Sequence, residues 1–306
     1  MQKVAGSKMR MTSAPVRKVL AVSRRPSIRP LSMSARLTQT PGPGTAAKIL
    51  AYFFPHVFVS DAGQNNIESA KNFLVPSSDF TFRHAPAEEE WLPSESVDFA
   101  SACMCMHYMD VDAAVRNVAK SLRPGGTFAA ATYSFMLKFP GHPRLADLWY
   151  DILSAESDRF VETGHLFPAA IKGCAKANTG LDWVPLPEDL FQPGALRLQI
   201  NIDDGEERPF MFVKPSATGF VLPDPRIGPA DVVKHVKDDS WSRACNVDWL
   251  KGFLVSCRMG FGEETWAMEG WKELEGIIRD AGGEVEVKWP VAVILATCRI
   301  PQAQDA

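Results

Sequence analysis

The chain has 306 residues, 46% of them hydrophobic and 23% charged, with a formal net charge of −3. That length can bury a large core, as one α/β domain or as one domain with a sizeable insertion. The near-neutral charge gives no electrostatic footing for nucleic acid or an anionic membrane, and no apolar run approaches the length of a bilayer-spanning helix.

Charge is unevenly placed along the chain. The first acidic residue is Asp61, whereas Lys3, Lys8, Arg10, Arg17, Lys18, Arg24, Arg25, Arg29 and Arg36 crowd the opening stretch. Residues 1–36 carry Pro, Ser and Arg without periodicity and read as a disordered basic leader. An acid-free, Arg- and Ser-rich start resembles a mitochondrial transit peptide; the competing readings are a plain basic tail, or sequence before Gly42 that is foreign to the functional chain. The expected location is cytoplasmic, with the mitochondrion as the alternative.

Structure is expected from residue 37 onward. Pro41-Gly42-Pro43-Gly44-Thr45 opens a helix that carries Ala46, Ile49, Leu50, Phe53 and Phe54 at helical spacing. Val57 to Asp61 is a strand ending in a carboxylate, Gln64 to Phe73 a second helix, and Phe80 to His84 the next strand. Val97 to Met106 is a near-continuous apolar run, as a central parallel strand covered on both faces requires. A helix over 111–122 buries Ala114, Val115, Val118, Ala119 and Leu122. Arg123-Pro124-Gly125-Gly126 stops it before a strand from Thr127 to Tyr133. Strands alternating with helices predict βαβ units, so residues 37–134 read as a doubly wound, mostly parallel Rossmann-like core.

Residues 135–264 break the rhythm with scattered prolines and a candidate hairpin, Leu196 to Asn201 and Pro209 to Lys214, around Asp203-Asp204-Gly205. They read as an irregular α+β insertion that caps the substrate side. Residues 265–306 complete the core with a helix, the stop Gly282-Gly283, and a strand pair around Trp289-Pro290 that includes an antiparallel terminal strand.

The chemistry follows from position. A glycine turn between strand and helix lets backbone amides approach a ligand, and the helix N-terminus favours negative charge there. Asp61, at a strand tip, can take ribose hydroxyls or simply cap the following helix. His107 follows the central strand at its carboxyl end, where it is a candidate base or orienting residue; the other reading is a hydrogen-bonded structural histidine. The six cysteines, Cys103, Cys105, Cys174, Cys245, Cys257 and Cys298, lack zinc-like spacing, and the histidines show no ligand pattern, so no metal is expected. Trp149, Tyr150, Phe160, Phe167, Trp183, Phe191, Trp241 and Trp249 either line a substrate pocket or form the insertion's own core. Arg144, Arg159 and Arg243 either pair with a substrate carboxylate or lie on the surface.

These parts resemble the type 11 group of class I S-adenosylmethionine (SAM) methyltransferases, and within it enzymes like trans-aconitate methyltransferase. Gly42-Pro43-Gly44-Thr45-Ala46-Ala47 resembles the end of the first glycine motif, and Val59-Ser60-Asp61 the second strand with its ribose-binding acid. Ala85-Pro86-Ala87-Glu88 and Leu92-Pro93 are similar to the adenine-side loop, and His107-Tyr108 stands where His-Trp is usual. Leu122-Arg123-Pro124-Gly125-Gly126 is the most family-typical stretch, and Val287 to Ala296 is similar to the closing strands. The resemblance implies SAM as cofactor, held by Gly42, Gly44 and Asp61 with Ala87, Glu88 and Met104 near the adenine. It implies methyl transfer to a small-molecule oxygen nucleophile, a carboxylate or a hydroxyl, with no nucleic-acid or membrane partner and no stated oligomeric state. The chain departs at the start: Thr38 stands where an acid is usual and Thr40 replaces the first glycine. Losing that charge-assisted contact to the cofactor's ammonium costs about 1.5–3 kcal/mol, which leaves an inactive methyltransferase-like binding protein as the second reading.

Overall fold

The computed structural model describes residues 36–39, 44–74, 79–164, 168–206, 210–212, 223–257 and 259–300. The leader up to residue 35, and Gly42 with its neighbours 40–43, lie outside the described residues.

Strands β1 (Arg36–Gln39), β2 (Val57–Asp61), β3 (Phe80–His84), β4 (Val97–Cys103) and β5 (Leu122–Tyr133) form the parallel part of one eight-stranded sheet. The sheet is completed by β6 (Leu196–Ile200), β7 (Val232–Val236) and β10 (Val291–Thr297), in the order β3-β2-β1-β4-β5-β10-β6-β7. Strand β1, Arg-Leu-Thr-Gln, is short and has one apolar residue, so its sequence alone carries little strand signal. It forms because β2 and β4 offer a parallel ladder on each side, pairing Thr38 with both Val59 and Ser101 and satisfying its backbone groups.

The connecting helices are α1 (Thr45–Leu50), α2 (Gln64–Phe73) and α3 (Val111–Ser121). Helix α1 is shorter than its apolar spacing predicts. Pro55 disfavours helix in the residue before it, and Tyr52 and Phe53 end up 68% and 49% exposed. Helix α3 starts where Asp110 accepts a hydrogen bond from the Ala113 amide, and it buries Val111, Ala114, Val115, Val118 and Ala119. The Arg-Pro-Gly-Gly stretch, expected as a turn, stays within β5 as a bulge, so that Val97 pairs with Leu122 but Phe99 with Thr127. Gly126 has no room for a side chain there: a Cβ would lie 2.9 Å from the Arg123 carbonyl oxygen.

The later part of the chain contributes α4 (Pro143–Glu162), α5 (Pro168–Ala177), α6 (Val247–Ser256), α7 (Glu263–Ala267) and α8 (Glu269–Asp280). Helices α4 and α8 meet through the buried rings of Trp149 and Trp271, whose centroids are 6.5 Å apart. Of the expected hairpin partner Pro209 to Lys214 only residues 210–212 are described, and both edges of β6 are taken by β10, antiparallel, and β7, parallel, each distant in sequence. Phe210 is no strand residue but a plug, its amide bonded to the Asn178 carbonyl and its own carbonyl accepting from the Phe135 amide. The closing strands are not each other's partners either. Strand β9 (Val285–Lys288) pairs with β8 (Ser242–Cys245) in a separate two-stranded sheet, while β10 runs antiparallel between β5 and β6. Five of the seven residues of β10 are buried, and its backbone is paired on both edges, by β5 and β6, where a local hairpin would supply only one ladder. Among the described residues no helix is long and apolar enough to cross a membrane.

Candidate functional site

Strand order runs outward from β1 in both directions, to β2 and β3 on one side and to β4 and β5 on the other. Such a switch point opens a crevice at the carboxyl ends of the strands. A cleft of about 370 Å³ lies there. It is lined by Ser60, Asp61, Ala62 and Asn66 after β2, by Ala85, Pro86, Ala87 and Glu88 after β3, and by Cys105, Tyr108 and Met109 after β4.

Asp61 lies in this cleft and does not cap α2, whose N-cap is Gly63. Its Oδ1 accepts from the Gly63 amide at 2.7 Å and from Asn66 Nδ2 at 3.1 Å, which fixes the carboxylate's orientation. Among the described residues no hydrogen bond ends on Oδ2. Burial raises the Asp61 carboxyl above its ordinary range, opposed by the bonds from Gly63 and Asn66 and by His84.

Ala87 and Glu88 also line the cleft, and their loop is tied to α3. The Asn117 side-chain amide donates to the carbonyls of Ala87 and Glu89, each at 2.7 Å, and Glu88 Oε1 accepts from the Asp110 amide at 2.7 Å. Gly44, buried at the start of α1, takes the left-handed φ of 86°, and a Cβ there would lie 2.9 Å from Leu74 Cδ1. It sets the entry to the helix and is not among the residues lining the cleft.

Met104 and His107 stand elsewhere. Met104 has a φ of 57°, and its sulfur turns toward β5, accepting from the Tyr133 amide at 3.1 Å and Thr132 Oγ1 at 3.3 Å. The next residue, Cys105, lines the cleft in its place. His107 is only 5% exposed and lies behind the cleft wall, its ring 4.1 Å from that of Tyr108. Burial, then the charge of Lys176, pushes its imidazole down to about 4, so the ring is neutral near pH 7. Tyr108 is the member of that pair that faces the cleft.

The three arginines offered for a substrate carboxylate are engaged. Arg144 makes a bidentate pair with Glu273 at 2.7 and 2.8 Å, and Arg159 is held by Glu156 and Glu264. Arg243 lies over the Trp249 ring, 4.9 Å from its centroid. Trp149, Phe160, Trp183 and Phe191 are fully buried core residues, Tyr150 is largely exposed, and Trp241 and Trp249 are half-buried; Phe167 lies outside the described residues. Sequence reasoning missed Asn66, Cys105, Tyr108 and Asn117. The spacing Asp61-x-Gly63-x-x-Asn66 offered a signal for the first of these. Nothing local marked Asn117, which acts across 30 residues.

A doubly wound, mostly parallel sheet with one antiparallel strand and a carboxylate at the tip of its second strand defines the Rossmann-like class of nucleotide-binding folds. Comparison with known proteins narrows this. A methyltransferase-domain family model matches residues 39–130. Methyltransferase tpcM of Aspergillus fumigatus is 33% identical over 270 residues, which span 84% of this chain and 79% of that one. A methyltransferase of Claviceps purpurea is 30% identical over 258 residues, again 84% of this chain and 79% of its relative. The solved structure of an S-adenosylmethionine-dependent methyltransferase from Mesorhizobium loti aligns with 40% of this chain and 57% of its own, at 22% identity and a TM-score of 0.34. The chain belongs to the S-adenosylmethionine-dependent methyltransferase family.

Proposed function

We propose that the protein methylates a hydroxyl oxygen of a small-molecule acceptor, with Asp61 holding the ribose of SAM. The carrying observation is the Asp61 carboxylate, oriented through Oδ1 by Gly63 and Asn66 at the carboxyl end of β2. Asp61 borders a cleft of about 370 Å³, room enough for a nucleoside, and no hydrogen bond among the described residues ends on its Oδ2. The residues lining the cleft therefore fit the cofactor: Asp61 would take ribose hydroxyls, and Ala87 and Glu88 would border the adenine. When bound, SAM supplies an electrophilic methyl group whose bonding pair returns to sulfur as the new bond to the acceptor oxygen forms and the hydroxyl proton passes to water.

The engagement of Arg144, Arg159 and Arg243 favours a hydroxyl acceptor over a carboxylate, since a carboxylate needs a committed cation. His107 acts in this reading by supporting Tyr108, not as a base; a neutral ring behind the wall suits packing, and methyl transfer needs little beyond alignment.

Calorimetric titration with SAM and S-adenosylhomocysteine tests the cofactor assignment, with micromolar binding expected. Asp61→Ala is expected to weaken both at least tenfold, from the loss of about 1.5–3 kcal/mol of charge-assisted bonding. Unchanged affinity in a folded Asp61→Ala variant would place the pocket elsewhere.

A further inference from the structure

We propose that Asn117, a residue of α3 outside the cleft, is the positioning residue for the base end of the cofactor, because it sets the turn over residues 86–89 that the base lies against. This rests on the cofactor reading above and adds the residue on which discrimination between bases depends.

The turn does not hold itself. Residues 85–96, between β3 and β4, contain no helix or strand, and the turn's own backbone bond runs from the Glu89 amide to the Pro86 carbonyl at 3.2 Å. Ala87 and Glu88 are its two central residues, and both line the cleft. The other anchors come from α3. Asn117 Nδ2 donates to the carbonyls of Ala87 and Glu89, on either side of Glu88, at 2.7 Å each. Glu88 Oε1 accepts from the amide of Asp110, the N-cap of the helix, at 2.7 Å. A further tie, Lys120 to Glu90, joins side chains 51% and 59% exposed, where an ion pair is worth little.

The chemistry of the side chain singles out Asn117. Both of its partners are carbonyls, so the amide presents its nitrogen to them, and both of its N–H donors are spent. Asparagine is a poor helix former, because its side chain competes for nearby backbone groups. Here it leaves its own helix alone and reaches 30 and 28 residues upstream. One side chain thereby fixes two peptide planes of the cleft wall.

Fixing those planes aims donors. The Ala87 carbonyl points at α3, so across its trans peptide the Glu88 N–H points away from the helix. Among the described residues neither the Ala87 nor the Glu88 amide donates a hydrogen bond, although Ala87 is only 6% exposed. A shielded N–H without a partner favours a ligand that brings an acceptor. Adenine carries an unprotonated ring nitrogen beside its amino group; hypoxanthine carries an N–H there and would set donor against donor. Asp61 is oriented by Gly63 and Asn66 of its own loop, so the ribose end does not depend on α3.

The test titrates the full chain calorimetrically with S-adenosylhomocysteine and with S-inosylhomocysteine, in which hypoxanthine replaces adenine. The wild type is expected to prefer the adenine compound by roughly tenfold or more. Alanine is the better helix former, so Asn117→Ala leaves α3 intact. It should weaken S-adenosylhomocysteine by roughly five- to twentyfold and shrink the preference to within about threefold. Asn117→Asp keeps the size but sets a carboxylate against two carbonyls, and should lose at least as much. Lys120→Ala, which removes only the exposed tie to Glu90, should change neither value. A merely structural role would weaken both compounds equally, so an unchanged preference in the folded Asn117 variants overturns the inference, as does undiminished affinity in them. A wild type that binds both compounds alike overturns this inference alone; no S-adenosylhomocysteine binding overturns the cofactor reading and this one with it.

Discussion

Asp61 illustrates a conflict between binding and stability within a single residue. Its carboxyl is raised chiefly by burial, so ionisation opposes folding in the cofactor-free protein. A raised folded-state pKa contributes stability that is full below the unfolded value and lost as pH rises through the folded one. Asp61→Asn keeps an Oδ1 acceptor for Gly63 and Asn66 but carries no charge. It is expected to melt above the wild type at pH 8 while binding S-adenosylhomocysteine at least tenfold more weakly. The melting difference should close as pH falls through the carboxyl range; a variant no more stable at pH 8 would show that the buried charge is not the cost. His107 has the opposite sign. Its folded pKa of about 4 lies below the unfolded value, so the stability it contributes is present above about 6.5 and lost as pH falls toward 4. His107→Phe should flatten the wild type's acid-side loss by on the order of 2–3 kcal/mol, read from urea midpoints across that window.

Between elements, the contact that matters most for the cleft joins α5 to the short helical turn Met106–Tyr108. A Cβ on Gly173 would lie 2.9 Å from both Cδ1 and Cε1 of Tyr108, and Lys176, one turn on, donates to the Met109 carbonyl at 3.3 Å. Gly173→Ala on its own should favour helix by up to about 1 kcal/mol. Here it must push the tyrosine toward the cleft or lift α5 away. We expect S-adenosylhomocysteine to bind three- to tenfold more weakly, with no such loss when Gly173→Ala is introduced into a Tyr108→Ala background. Equal losses in both backgrounds would show that the two residues are not coupled. Neither helix α5 nor the 20-residue α4 was legible beforehand. The prolines of residues 135–264 suggested irregular chain, although Pro143 sits in the first helical turn, where it is tolerated. Leu145, Leu148, Trp149, Ile152 and Leu153 carried the helical spacing all along.

Across the whole molecule, one buried ion pair ties β6 to the loop before β7. Arg197 and Asp231 side chains are 2% and 7% exposed, 2.7 Å apart, and Arg197 also donates to the carbonyls of Leu181 and Val184. Removing one partner strands the other's charge, so Asp231→Ala should cost about 3–5 kcal/mol in urea unfolding, and Arg197→Met with Asp231→Leu distinctly less. A smaller loss in the single variant than in the double would mean water reaches the pair. Arg197 reads in sequence as an ordinary exposed position in an alternating strand. Only β10 and β7 on either side, 97 and 36 residues away by the paired positions Ile294 and Val233, account for its burial.

Local sequence specifies the alternation of strands and helices from Val57 to Tyr133 and a carboxylate at the tip of β2. Each of these is decided within a window of a few residues, by apolar spacing, turn chemistry and backbone conformation. Tertiary structure alone decided that β10 enters between β5 and β6, that Cys105 rather than Met104 faces the cleft, and that His107 stands behind Tyr108. Those outcomes depend on which distant backbone completes a ladder and which distant side chain fills a gap, and neither leaves a mark in the local sequence.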